Sequence, residues 1–499
     1  MQVGEVKRTD LLGPFAPPAL GLRLDQTSSL SVWRQLYLQM RDAVIEGKWP
    51  PGMRMPAART IAAQLSCSNA AVSEAVAQLS QEGFLVKTGG LARVTELVAE
   101  EAIIAARTEP AVSRRATDLS RRGATLSPNN PPDSEPYRAF APSLPDISLF
   151  PFQVWHKLAR VWRNPCSSLL LQSDAGGYWP LRETICAYLR ASRMIECNPE
   201  DVLITTGAQN GVDVTARLLL DIGDEAWVED PGYPGLRSAL YAAGANIVPV
   251  PIDEEGMMIS AGIASGTTPR LIAVAPSHQY PLGTVMSLRR RMDLLAFAKK
   301  SDSWIIEDDY DNEFRYAGRP LAALRSLDDS RVIYVGTFSK VLFPSLRLGY
   351  IVVPPKLAAR MAAARMGLDI QPSILAQPVV DMFMREGFFL SHVRKMRAIY
   401  RKRQAALVQA VEIHLSDVLD VQPDATGIHL LARFTNKTIA RLSDAEASRR
   451  AASHGVIAPA LSDYYCDKRN GGGLVLGYAA VNEKSISSAA ERLAVALRD

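Results

Sequence analysis

Residues 337–350 read TFSKVLFPSLRLGY. The stretch joins two apolar runs, RVIYVGTFS from Arg331 and LGYIVVP from Leu348. Lys340 therefore sits between two strands, where a desolvated amine loses basicity and becomes able to form a Schiff base. Ser339 and Arg347 lie beside it and are suited to grip a phosphate. A lysine after a serine is commonplace; an arginine following at this distance is not.

Five further runs of the same kind lie upstream: DVLITTG, EAWVEDP, NIVPVPI, LIAVAP and SWIIEDD. They alternate with helical patterns, and several end in Gly, Pro or Asp. Such a series predicts an α/β fold with a mainly parallel central sheet covered on both faces.

Three of these run ends carry chemistry. TTGAQNG from Thr205 is a strand end entering a helix, and the backbone N–H groups of Gly207, Ala208 and Gln209 form a phosphate seat at that helix N-terminus. EDPGYPG from Glu229 places Tyr233 after a Pro-Gly turn, as a ring to stack on a planar ligand or as a buried structural tyrosine. IIEDDYDNEF from Ile305 ends a strand in Asp308, with Tyr310 two residues on and so on the same face. That carboxylate can stabilise a protonated pyridine nitrogen, and the phenol can bond a ring hydroxyl. Asp309, Asp311 and Glu313 crowd nearby, which also reads as metal binding or a solvated charged loop. No His or Cys accompanies them in sequence, so no metal site is expected.

The N-terminal part has a different pattern. SVWRQLYLQMRDAVIEGK spaces Val32, Leu36, Met40, Val44 and Ile45 on one helical face. WPPGMRMP breaks the chain. Two short helical patterns follow, one through Ile61, Ala62 and Leu65 and one through Val72, Ala75, Val76 and Leu79. Ser66 or Ser68 in the turn between them supplies an N-cap. FLVKTGGLARVTE reads as a hairpin around Gly89-Gly90. Three helices and a hairpin make a winged helix-turn-helix. Its second motif helix would meet the major groove through Ser68, Asn69, Ala70 and Ser73, with Arg59 on the preceding helix. Lys87 and Arg93 flank the wing tip within reach of phosphates.

Between Arg107 and Pro136 five Pro and five Arg surround few large apolar residues. Such a segment cannot bury enough surface to offset its ordering entropy, and it reads as a flexible linker spanning ~30 Å. The expected division is 20–97 for the winged helix, 98–140 for the linker and 141–499 for the α/β domain.

Composition excludes several classes. The chain has 499 residues, 47% hydrophobic and 22% charged, which is ordinary for a soluble globular protein. No apolar stretch is long enough to span a membrane, and no secretory leader is visible. Five cysteines without a CxxC pair fit a reducing cytoplasm. A net charge of +4 does not by itself announce a nucleic-acid binder.

Residues 31–96 resemble the GntR family of winged-helix regulators, through WRQLY from Trp33, IEGKWPPGMRMPAARTIAAQL from Ile45 and SNAAVSEAVAQLSQEGFL from Ser68. Members usually carry Arg after that serine and Thr two residues later; here stand Asn69 and Ala71. Asn69 can still read an adenine edge, but phosphate anchoring is weakened. From about residue 141 onward the chain resembles fold-type I pyridoxal-phosphate aminotransferases, with a smaller C-terminal α/β subdomain. The resemblance implies pyridoxal 5′-phosphate as cofactor and Lys340 as the Schiff-base, catalytic lysine. It implies Asp308 as the ring-nitrogen partner, Tyr310 near the ring hydroxyl and Tyr233 as the stacking ring. Ala208, Gln209, Ser339 and Arg347 correspond to the phosphate cup, with Gly207 at its turn, and His278 is a further candidate.

The union of the two halves resembles the MocR group, also called GabR-like regulators. PDISLFPFQVW from Pro145, PSHQYPLG from Pro276, EDDYDNEFRY from Glu307 and HVRKMRAIYRKR from His392 all read like that group. The resemblance implies a cytoplasmic homodimer with heads swapped between subunits, a double-stranded DNA operator and a small-molecule effector. A regulator is favoured over an enzyme because a metabolic aminotransferase needs no winged helix; the alternative is an active aminotransferase with an amino-acid substrate. Two departures bear on the effector. Val475 stands where amino-acid aminotransferases place a carboxylate-binding arginine, and Gln172 where relatives lend a tyrosine to the neighbouring subunit. His278, Arg394 or Arg469 are alternative clamps. Without a clamp, pyridoxal phosphate itself becomes a possible signal, as in the branch controlling vitamin B6 metabolism.

Overall fold

The computed structural model describes residues 20–25, 27–88, 91–95, 119–126, 139–166, 170–171, 174–318, 322–467 and 471–498. The chain divides into two compact units between Asp118 and Leu119.

In the N-terminal unit, α1 (Val32–Ile45), α2 (Ala58–Leu65) and α3 (Asn69–Gln81) precede the hairpin strands β1 (Leu85–Thr88) and β2 (Leu91–Val94). Leu36 and Met40 of α1 pack with Ile61 of α2 and with Val72, Ala75 and Leu79 of α3, all fully buried. Val32 and Ile45, expected on the same face, are instead exposed. Ile45 lies two and a half turns from Leu36 and so points the opposite way. Ser68, not Ser66, caps α3: its hydroxyl accepts from the Ala71 amide at 3.2 Å. Ser66 closes α2 in the left-handed region, at φ 51°. The segment after α1 is tied to the wing, since Met55 N–H donates to the Ala92 carbonyl and Val94 N–H to Met53, each at 2.9 Å.

The C-terminal unit is built on an eight-stranded sheet. Its strands are β3 (Val202–Thr205), β4 (Glu225–Asp230), β5 (Asn246–Asp253), β6 (Gly256–Met257), β7 (Leu271–Val274), β8 (Trp304–Asp309), β9 (Val332–Thr337) and β10 (Gly349–Val352). The order is β3-β10-β9-β8-β7-β4-β5-β6. All seven apolar runs became strands of this sheet. β4, β5, β7, β8 and β9 run parallel, β10 is antiparallel to both its neighbours, and the two-residue β6 reverses at the edge. Both faces are covered: on β8, Ile305 packs into one layer and Ile306 into the other. A smaller antiparallel sheet of β11 (Leu419–Val421), β12 (His429–Phe434) and β13 (Gly473–Gly477) lies toward the C-terminus.

Residues 119–126 fall in the segment expected as flexible linker, yet Arg121–Leu126 form a helix, α4. Arg122 donates to the Ala242 carbonyl at 3.1 Å, near the end of a helix that spans Pro234–Ala243. The last carbonyls of a helix lack intrahelical donors, and an arginine satisfies one of them. Ala139 and Phe140, at the end of the same segment, are buried in the core of the C-terminal unit.

Candidate functional site

In open α/β sheets ligands bind beyond the carboxyl ends of the parallel strands. Here the ends of β3, β4, β8 and β9 surround one cavity, lined among others by Ala208, Gln209, Tyr233, Asp308, Tyr310, Ser339, Lys340 and Arg347. Eight residues singled out from the sequence are thus brought together from four separate strand ends.

The floor of this cavity is electrostatically tuned. Burial, then the neighbouring Asp309 carboxylate, push Asp308 up to about 7, with Lys340 opposing them. Burial pushes the Lys340 amine down to about 8 against the pull of Asp311 and Asp308. The amine donates to the Ser143 carbonyl at 2.9 Å. Gly207 opens α5 (Ala208–Leu219) at φ 94°, a conformation open to glycine. A Cβ there would lie 3.6 Å from the Arg347 guanidinium, so the helix N-terminus and that cation face each other.

Behind Tyr310 lies a second, fully buried layer. His278 does not line the cavity, contrary to expectation; its ring packs against Tyr310 at 5.9 Å between centroids. Its Nδ1 is 3.0 Å from both Asp311 oxygens and from the Tyr310 hydroxyl. Its Nε2 is 3.4 Å from Asp424. Burial opposes charge on this imidazole, but the carboxylates of Asp311 and Asp424 outweigh it and push it to about 10. The cavity wall that PSHQYPLG supplies is Tyr280, two residues on.

The acids around Asp308 are not a solvated loop. Asp309 takes a 2.7 Å ion pair with Arg193 and a hydrogen bond from Tyr334, and Glu313 accepts from Tyr188 at 2.8 Å. The expectation that no histidine joins them fails in three dimensions, because the fold brings His278 and His429 to Asp311. His278 and Asp311 meet directly at 3.0 Å, a hydrogen bond between atoms that would otherwise be available to a metal.

Of the alternative clamps, His278 lies behind Tyr310, Arg394 is exposed and absent from the cavity lining, and Arg469 and Gln172 fall outside the described residues. Val475 is fully buried on β13, in a cluster with Tyr280, Tyr310, Leu461 and Tyr464. Sequence reasoning missed Ser143, Glu229 and Arg237, which also line the cavity. Ser143 carried no local signal; Arg237 lay one helical turn past Tyr233 and was readable as a helix-surface residue.

Three buried side-chain atoms of this region lack a hydrogen-bond partner: Asp308 Oδ1, Ser339 Oγ and Gln209 Oε1. A carboxylate for a ring nitrogen, a hydroxyl for a phosphate and an amide near it are what pyridoxal phosphate would satisfy, so the residues fit that group.

In the N-terminal unit, Arg59, Ser68, Asn69, Ser73, Lys87 and Arg93 are all exposed. Asn69 and Ser73 stand on the first turns of α3, directly after the Ser68 cap. Arg93 also donates to the Gly52 carbonyl at 3.2 Å. The wing tip, Gly89-Gly90, lies outside the described residues.

Comparison with known proteins places both units. Residues 33–91 match the gntR family of bacterial regulatory proteins, and residues 147–493 match aminotransferase class I and II. The probable rhizopine catabolism regulatory protein MocR of Rhizobium meliloti is 38% identical over 93% of each chain. The pyridoxine biosynthesis transcriptional regulator PdxR of Corynebacterium glutamicum is 29% identical, over 94% of this chain and 96% of its own. Among solved structures, the α-aminoadipate aminotransferase LysN of Thermus thermophilus, in complex with N-(5′-phosphopyridoxyl)-L-leucine, superposes with TM-score 0.70 and 26% identity. That match covers 78% of this chain and 98% of LysN. With a GntR head, an aminotransferase body and full-length similarity to MocR, the chain belongs to the MocR-type regulators, fusions of a GntR DNA-binding domain with an aminotransferase class I and II domain.

Proposed function

We propose that this protein is a pyridoxal-phosphate-dependent transcriptional regulator that binds operator DNA through its winged helix and senses a small molecule in the cavity of its aminotransferase-like unit. The observation that carries the reading is that Lys340, Asp308, Tyr310, Tyr233, Ser339 and Arg347 line one cavity in a chain that also carries a winged helix.

Pyridoxal phosphate, when bound, supplies an aldehyde that condenses with primary amines and a ring that withdraws electrons. Lys340 is the amine within the cavity, and its lowered basicity leaves a useful fraction unprotonated near neutral pH. Asp308 holds a negative charge toward a ring nitrogen. Tyr310 offers a hydroxyl whose position is set from behind by His278. Tyr233 offers a face for stacking. The α5 N-terminus at Gly207, Ala208 and Gln209, with Ser339 and Arg347, offers donors for a phosphate.

On DNA, Asn69 and Ser73 are the residues for base edges, with Ser68, Arg59, Lys87 and Arg93 toward phosphates. The protein works as a cytoplasmic homodimer with heads exchanged between subunits, so that two half-sites are read together. No helix among the described residues is long and apolar enough to cross a membrane. A second reading, in which pyridoxal phosphate itself is the signal, is favoured by the apolar burial of Val475 where a carboxylate clamp would stand.

The test is a titration of the apoprotein with pyridoxal phosphate, followed by a mobility shift of its own promoter DNA. Wild type is expected to gain a visible band that borohydride traps on Lys340, and to shift the promoter. Steady turnover with common amino donors, without DNA binding, would instead establish an enzyme.

A further inference from the structure

The cavity is lined by three cationic side chains: Lys340, Arg347 and Arg237. Lys340 and Arg347 have roles in the reading above. Arg237 does not. It stands one turn into α6 (Pro234–Ala243), after Tyr233 at the N-cap, and is half-buried. Among the described residues its hydrogen-bond partner is the Cys466 sulfur, at 3.3 Å. A sulfur is a weak acceptor, whereas a guanidinium presents five donors in a planar fork suited to a carboxylate. No carboxylate among the described residues forms an ion pair with it, although nearly every other half-buried arginine of this unit is so engaged or bound to carbonyls. An arginine aimed into a ligand cavity with its fork unmatched is an anion receptor.

The opposite wall gives the reason one is needed there. The clustered Val475, Tyr280, Tyr464 and Leu461 offer an anion no cation, and the Tyr280 and Tyr464 hydroxyls bond each other at 3.0 Å. An anionic ligand entering this cavity therefore finds its counter-charge on the Tyr233 side and not on β13.

We infer that Arg237 is the effector's anion-binding residue, and that the effector is a primary amine carrying a carboxylate, held with its carboxylate on Arg237 and its amine toward Lys340. The inference rests on the proposed cofactor-dependent sensing and names the ligand class for that same cavity. Arg237 does by position what an arginine at 475 would do in an amino-acid aminotransferase, from a different wall. The carboxylate therefore approaches from another direction, which selects ligands by the separation of amine and carboxylate.

The test uses the full-length protein loaded with pyridoxal phosphate. Glycine, β-alanine, 4-aminobutyrate and 5-aminovalerate are titrated against propylamine, reading the change in the visible band and, in parallel, the promoter mobility shift. At least one acid is expected to half-saturate well below propylamine. In Arg237→Gln its half-saturation should rise about ten-fold or more, as loss of a charge-assisted bond implies, with propylamine changed less than about two-fold. Arg237→Lys should restore part of the loss. An unchanged half-saturation in Arg237→Gln overturns the inference, as does equal response to acids and propylamine, or no response to any of them in wild type that carries its visible band. In that last case pyridoxal phosphate alone is the signal. Absence of the visible band in wild type would instead remove the cofactor reading itself, so the two failures are distinguishable.

Discussion

Replacing His278 by glutamine removes the single cation from a buried pocket that holds two carboxylates, Asp311 and Asp424. The folded protein raises this imidazole from 6.5 to about 10. A raised value means the histidine contributes stability that is fully present below pH 6.5 and is lost as pH rises through about 10. At about 1.4 kcal/mol per pH unit the ceiling is roughly 5 kcal/mol. Asp311 reduces it, because burial holds that carboxyl above its usual range and so makes its ionisation costly. A net of about 2–4 kcal/mol is expected, near the cost of breaking a buried pair. Lys340 titrates in the same window with the opposite sign, since its amine is pushed down to about 8 and its stability cost fades as pH rises. The diagnostic is therefore the difference between wild type and His278→Gln, not either slope alone. Urea unfolding followed by circular dichroism at half-unit steps from pH 6.5 to 10 measures it. The N-terminal unit contains no histidine and provides an internal control. The difference should be largest at pH 6.5 and shrink toward pH 10. A difference that stays constant across that range would refute the cationic His278 and the argument that it orients Tyr310 as a charged donor.

Lys340→Ala should abolish the visible band on addition of pyridoxal phosphate while leaving the head's fold, read by its α3 helicity, intact. Gly207→Ala places a side chain at φ 94°, which costs about 1–3 kcal/mol of backbone strain. Its measurable consequence is weaker retention of pyridoxal phosphate on dialysis, with the strand order unchanged. In the head, Ser68→Ala should lower thermal stability by about 1 kcal/mol through loss of the α3 cap. Asn69→Ala should leave stability nearly unchanged but cost about 1–3 kcal/mol of operator affinity if Asn69 reads an adenine, measured by mobility shift at fixed salt.

Much of this protein is legible along the chain because its determinants are local. Alternating apolar runs specify strands, and the seven that flank the motif segments all entered the sheet. Lys340, Asp308, Tyr233 and Gln209 were each readable because a strand end positions the residue that follows it. The Ser68 cap was readable from its spacing to the helix it opens. Val32 and Ile45 were misread because a five-residue face was drawn wider than the arc that α1 presents to α2 and α3.

Tertiary structure decided what depends on distant segments meeting. His278, Asp311, Asp424 and His429 come from three separate stretches, and no spacing rule announces that they share one buried pocket. Their charge state follows from desolvation and mutual Coulomb interaction, which exist only once that pocket closes. Likewise, Lys340 meets the Ser143 carbonyl across 197 residues of sequence. Arg237 looked like a helix-surface cation until the fold turned it into the cavity. The sequence by itself determined which residue types stand at the strand ends. The fold determined which of them face a ligand, which stand behind, and which charge is left without a partner.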